Sequence, residues 1–144
     1  MDDLEVLRRF GLPPRNEALP TIRRLLAEQI EIYRRGDDGD TELMRALCVM
    51  LFAHGDLDDV LLLWQAKRCG FDPASALDIQ FLCGAGWEET LAFLQNHGNA
   101  SAAEARLELL ARAEDFEGFT PAEHLRFYRE HYYAEVFAPL DDHH

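Results

Sequence analysis

"TELMRALCVMLFAHGDLDDVLLLWQAKRCG", residues 41–70, decides how this chain folds. Wound as helices, residues 41–55 and 56–70 are each apolar on most faces. A helix that is hydrophobic nearly all round belongs in the middle of a fold, covered by others. Only His54-Gly55-Asp56 joins the two. So short a link predicts an antiparallel helical hairpin. Asp56 is placed to cap the second helix, with Asp58 and Asp59 in its first turn, where the helix dipole favours acids.

Helical spacing continues outward in both directions. In "PTIRRLLAEQIEIYRRG" (20–36), Ile22, Leu25, Leu26, Ile30 and Tyr33 recur every three or four residues as one apolar stripe. "DDGD" (37–40) reads as a turn in which Asp40 or Thr41 caps the next helix. On the other side, Asp72-Pro73 marks a helix start, and the glycines of "CGAG" (83–86) mark its end. "WEETLAFLQNHG" (87–98) is a further short helix. Ser101 with Glu104, and Thr120 with Glu123, have the spacing of capping boxes that open the last two helices. No stretch alternates apolar and polar residues over a useful length, so no strand is expected. The prediction is an all-α protein, one compact domain over residues 1–144. It has about seven or eight short helices, arranged as antiparallel hairpins in an α-α stack or irregular bundle. Residues 1–3 and 139–144 read as frayed ends. Trp64 and Trp87 share no flanking pattern, so a tandem-repeat solenoid is not favoured.

With 144 residues and 48% hydrophobic composition, a chain of this size buries roughly 68–70% of its unfolded surface, enough for a core without staples. Cys48, Cys69 and Cys83 are an odd number in apolar surroundings, which reads as buried free thiols in a reducing compartment. The start, "MDDLEVLRRF", has no apolar signal core. The longest apolar stretch, "ALCVMLFA", is far shorter than the ~20 residues a membrane span needs. These features predict a soluble, cytoplasmic protein. Its formal charge is −13 and uneven: +1 over residues 1–36 and −14 over 37–144. Such a surface repels phosphate and argues against direct nucleic-acid binding, while it attracts a basic protein.

Most catalytic signatures are missing: GxSxG, GxxxxGK[ST], GxGxxG and HExxH do not occur. No catalytic residue, metal ligand or cofactor is therefore assigned. "GAG" (84–86) reads as a turn, and "DDGDTE" (37–42) lacks the glycine and glutamate that a calcium loop requires. His124 and His131 lie seven apart with Tyr128 between, wider than the four-residue spacing of helical zinc pairs. The chemistry that does stand out is Asp78 and Gln80, set among Leu77, Ile79, Phe81, Leu82 and Cys83. A buried carboxylate needs a partner. Lys67 and Arg68, closing the preceding helix, are the candidates for an interhelix salt bridge. The functional alternative is a groove lined by Trp64, Asp78, Gln80 and Trp87. Together with Lys67 and His54 this would be the pocket of an enzyme or small-ligand binder.

"DVLLLWQAKRCGFDPASALDIQFLCGAGWEETLAFL" (59–94), with "DFEGF" (115–119) and the tyrosine-rich end, resembles a group of small, uncharacterised bacterial all-helical proteins. The resemblance covers roughly the C-terminal two-thirds of the chain. It implies an all-α fold and carries no activity. In composition the chain is also similar to the immunity proteins that neutralise toxins. The functional expectation is a protein-binding module, an immunity- or antitoxin-like protein that occludes a basic toxin domain. Asp37, Asp38, Asp40, Asp56, Asp58 and Asp59 are its expected contacts, with Trp64 and Trp87 as anchors. The remaining alternative is a helical scaffold or homodimer, which an exposed apolar patch would mark.

Overall fold

The computed structural model describes residues 1–137; the fraying expected of residues 139–144 lies outside them. Among the described residues the chain is all-α, with no strand. The helices are α1 (Asp3–Phe10), α2 (Leu19–Arg34), α3 (Thr41–His54), α4 (Val60–Arg68), α5 (Phe71–Ala76), α6 (Trp87–His97), α7 (Ala100–Ala111), α8 (Pro121–Phe127) and α9 (Ala134–Phe137). Short 3-10 turns join several of them, and a π turn, Tyr128–Tyr132, separates α8 from α9. No helix is long and apolar enough to cross a membrane.

α3 is the centre, as its sequence demands. Every residue from Ala46 to Phe52 is buried. Helices α1, α2, α5 and α8 and the 3-10 turn Ile79–Cys83 pack around it. Its ends are specified locally. The Asp40 side chain accepts the Leu43 N–H at 3.0 Å, and Gly55, in the left-handed conformation, returns its N–H to Leu51.

Four expectations give way. α3 and α4 do not form a close hairpin. The turn Ile79–Cys83 packs against both and wedges them apart, and Asp56 caps a 3-10 turn, Leu57–Asp59, instead of α4 itself. α4 is also one-sided: Val60, Leu63, Trp64 and Ala66 are buried, while Gln65 and Arg68 face water. The helix expected from Pro73 to Cys83 stops at Ala76, and Gly70, not Asp72, sits at its cap. α7 is capped by Asn99, whose side chain accepts the Ala102 N–H at 2.7 Å, which leaves Ser101 inside the helix. Thr120 does cap α8, accepting the Glu123 N–H at 3.1 Å. Asp2 and Asp3 do not fray; Asp2 accepts the Glu5 N–H at 2.9 Å and opens α1, whose Val6, Leu7 and Phe10 are buried.

The "GAG" turn has a packing role. A Cβ on Gly84 would stand 2.3 Å from the Phe52 carbonyl oxygen and 3.1 Å from the Gly55 Cα. Only a residue without a side chain lets this segment cross the end of α3.

Candidate functional site

Asp78 owes its position to the early end of α5. Lys67 Nζ donates to the carbonyls of Ala74 (2.8 Å) and Leu77 (2.7 Å), and Arg45 Nε donates to that of Ala76 (3.2 Å). Side chains thus satisfy the carbonyls that a helix end leaves open. The chain extends through Leu77 and Asp78 before winding into the 3-10 turn. Lys67 is consumed as a cap and Arg68 pairs with Glu104, so neither meets Asp78, contrary to the expected salt bridge.

The partners of Asp78 come from α8. Its Oδ2 accepts the Tyr128 hydroxyl at 2.6 Å and lies 3.1 Å from His124 Nε2. His124 and Tyr128 are four apart, hence on one helical face. The His124 ring sits among Phe52, Phe81, Phe119 and Tyr128, with centroids 5.4–6.0 Å away. Burial works against the Asp78 carboxylate, but the hydrogen bonds from His124 and Tyr128 outweigh it and hold the carboxyl below its usual range. Burial, reinforced by donation to Asp78, pushes the Tyr128 phenol up. The node ties the C-terminal helices to the core.

Beside this node the surface opens into two adjoining recesses. One is lined by Gln80, Thr120 and His124, by the carboxylates Asp115, Glu117 and Glu123, and by the Phe119 and Phe127 rings. The other lies between the start of α6 and the turn after α7. It is lined by Trp87, Glu88, Glu89 and Phe116, and shares Glu117 and Phe119 with the first. Five carboxylates and no lysine or arginine line the pair. Both are open clefts that suit a surface contact better than enclosure of a small molecule.

The residues expected to form a site are dispersed. Asp37 and Asp38 are exposed on the turn before α3, with Asp40 as its cap. Asp56, Asp58 and Asp59 lie at the other end of that helix, about 20 Å away for 14 residues; the two acidic groups are not neighbours. Asp58 is exposed. Asp59 is only 3% exposed and takes both hydrogen bonds of a fork from Arg23, at 2.7 and 3.0 Å, so it is a structural ion-pair residue and offers nothing to a partner.

Trp64 is buried beneath the Arg68 guanidinium (5.3 Å) and shares an open groove with Lys67. Trp87 stacks on Phe116 at 4.5 Å in a different place. His54 is at the surface, 4.0 Å from Asp56. The expected pocket of Trp64, Trp87, His54, Lys67, Asp78 and Gln80 therefore does not assemble. Gln80 reaches the first recess and donates from Nε2 to the Asp115 carbonyl at 3.1 Å. Burial pushes the thiols of Cys48 and Cys69 up, and that of Cys83 up to about 12, so none is an activated nucleophile.

His124 and Tyr128 as Asp78 ligands, and the carboxylates at 88–89 and 115–123, are absent from the sequence-based site. The usable signal was a His–Tyr pair at four-residue spacing in a chain with one carboxylate stranded in an apolar segment. No family model, curated protein or solved structure matches this chain.

Proposed function

We propose that the chain is a protein-binding module that engages a basic partner through the acidic, aromatic face of the two recesses. The supporting observation is their composition: five carboxylates, the Trp87, Phe119 and Phe127 rings, and no lining lysine or arginine. Aromatic anchors supply contact area, while uncompensated carboxylates steer and select a cationic surface. The mode of action is occlusion, as an immunity protein blocks a basic toxin domain. The contact set moves from the aspartates at the two ends of α3 to Glu88, Glu89, Glu117 and Glu123.

Affinity capture from native lysate, with quantitative mass spectrometry, tests this reading. The wild-type chain is compared with a Glu88→Gln/Glu117→Gln/Glu123→Gln variant and with an Asp37→Asn/Asp38→Asn/Asp58→Asn control. The expected result is a basic protein retained by wild type and control, lost from the face variant, and released by salt. Capture that survives in the face variant, or falls equally in the control, rejects the face.

A further inference from the structure

We infer that the recess beside His124 receives one arginine side chain of the partner, which fixes the register of docking. This rests on the protein-binding reading above and names the group that the face recognises. The recess is rich in unused acceptors. Asp115 is engaged by Arg112 at 3.1 Å, but the Glu117 and Glu123 carboxylates have no ion-pair partner among the described residues and are exposed. Gln80 spends its amide N–H on the Asp115 carbonyl, and its carbonyl oxygen accepts nothing among the described residues.

His124 adds a third kind of acceptor. Asp78 holds Nε2, which leaves Nδ1 without a partner. The unpaired, solvent-inaccessible side-chain polar atoms among the described residues are Arg106 Nε and Tyr133 Oη. Nδ1 is not one of them, so it reaches solvent, on a residue that lines the recess. With Nε2 bearing the proton given to Asp78, Nδ1 presents a lone pair.

Two carboxylates, an amide oxygen and an imidazole lone pair thus surround an opening walled by Phe119 and by Phe127, which is 49% exposed. A guanidinium matches this set better than an ammonium. Its five N–H donors fan out in a plane, and its weakly hydrated face stacks on an aromatic ring. A bound metal fits less well, since no three His, Cys, Asp or Glu side chains converge among the described residues.

The test is a titration of the isotopically labelled full chain, followed by NMR, with N-acetyl-arginine amide and with N-acetyl-lysine amide, which carries the same charge. Saturable shifts at Gln80, Glu117, Glu123, His124 and Phe127 are expected, with the arginine probe binding several-fold more tightly. A Glu117→Gln/Glu123→Gln variant should weaken the arginine probe about tenfold or more, with an otherwise unchanged spectrum because both residues are exposed. An Asp37→Asn/Asp38→Asn variant should bind as wild type does. Equal binding of the two probes, or shifts that never saturate at the recess, overturns the arginine assignment. If the arginine probe fails while the basic partner is still captured through the face, this inference falls and the docking reading stands. If the probe binds but no partner depends on the face, the docking reading falls alone.

Discussion

Asp78 and Asp59 carry the same side chain into opposite kinds of partnership, and both depend on residues far away in sequence. Asp78 accepts from His124 and Tyr128, 46 and 50 positions on. Replacing it with Asn should lower stability at neutral pH by about 1.5–3 kcal/mol, the range for hydrogen bonds to a charged group, as read by urea unfolding. The folded-state pKa of Asp78 lies below its unfolded value. Its contribution is therefore fully present above about pH 4, near the unfolded pKa, and is lost as the pH falls through the lower folded value. The gap between wild type and Asp78→Asn should accordingly narrow below pH 4; a gap that stays constant would remove the carboxylate from the account. Asp59→Ala should cost roughly 1.5–3 kcal/mol because it strands the Arg23 guanidinium. The adjacent, exposed Asp58→Ala should stay within about 0.5 kcal/mol. In "DLDD" the two aspartates look alike; only the arrival of Arg23 from α2 separates them. That Asp78 needed a partner was legible from its apolar neighbours. Which partner it took was not, because Lys67 and Arg68 are closer in sequence and only the packing of α8 onto α3 brings His124 near.

Among the elements, α3 was the most legible. Its unbroken apolar run, Asp40 cap and Gly55 stop all act locally, and each is found in the structure. Less legible were the ends set by tertiary contacts. Helical spacing alone carries α5 past Ala76, yet Lys67 and Arg45 occupy the terminal carbonyls and the chain leaves the helix there. The wedge between α3 and α4 was equally hidden, since the short link implied close packing and gave no sign that a third segment would enter. Gly84 is the hinge pin of that wedge. Gly84→Ala places a methyl group 2.3 Å from the Phe52 carbonyl, and should destabilise by about 1–3 kcal/mol through forced backbone shifts. Gly98→Ala meets no neighbour within 4 Å and should show only the left-handed backbone penalty, about 1–2 kcal/mol. Near-UV circular dichroism separates the two: loosened aromatic packing is expected for Gly84→Ala alone, because the ring of Phe52 packs against Phe81, Phe119 and His124.

Taken whole, the molecule carries thirteen net negative charges, which were legible in the composition, while their distribution was not. The turns that hold obvious clusters of aspartate lie at opposite ends of one helix. The recesses draw instead on glutamates scattered from 88 to 123, which the α6–α7 pair and the start of α8 bring together. Self-repulsion at this charge should make added salt stabilising: raising ionic strength from roughly 10 to 150 mM shortens the screening length to about 8 Å and should raise Tm. A Tm that falls with salt would mean that the ion pairs outweigh the repulsion. The same screening should weaken the partner complex, so folding and binding respond to salt with opposite signs.

Past Tyr128 the helix winds wide, the Tyr133 N–H reaching back five residues to the Tyr128 carbonyl at 2.7 Å. Such a loop holds one residue more than an ordinary turn and is the footprint of a single-codon insertion. Excising any one residue from 128–132 would let the winding close normally and rotate everything downstream by about 100°. Tyr133, now 2% exposed, would swing off its seat and expose the aromatic layer beneath it. The reading frame of this short segment, more than the identity of its residues, keeps the last helix attached.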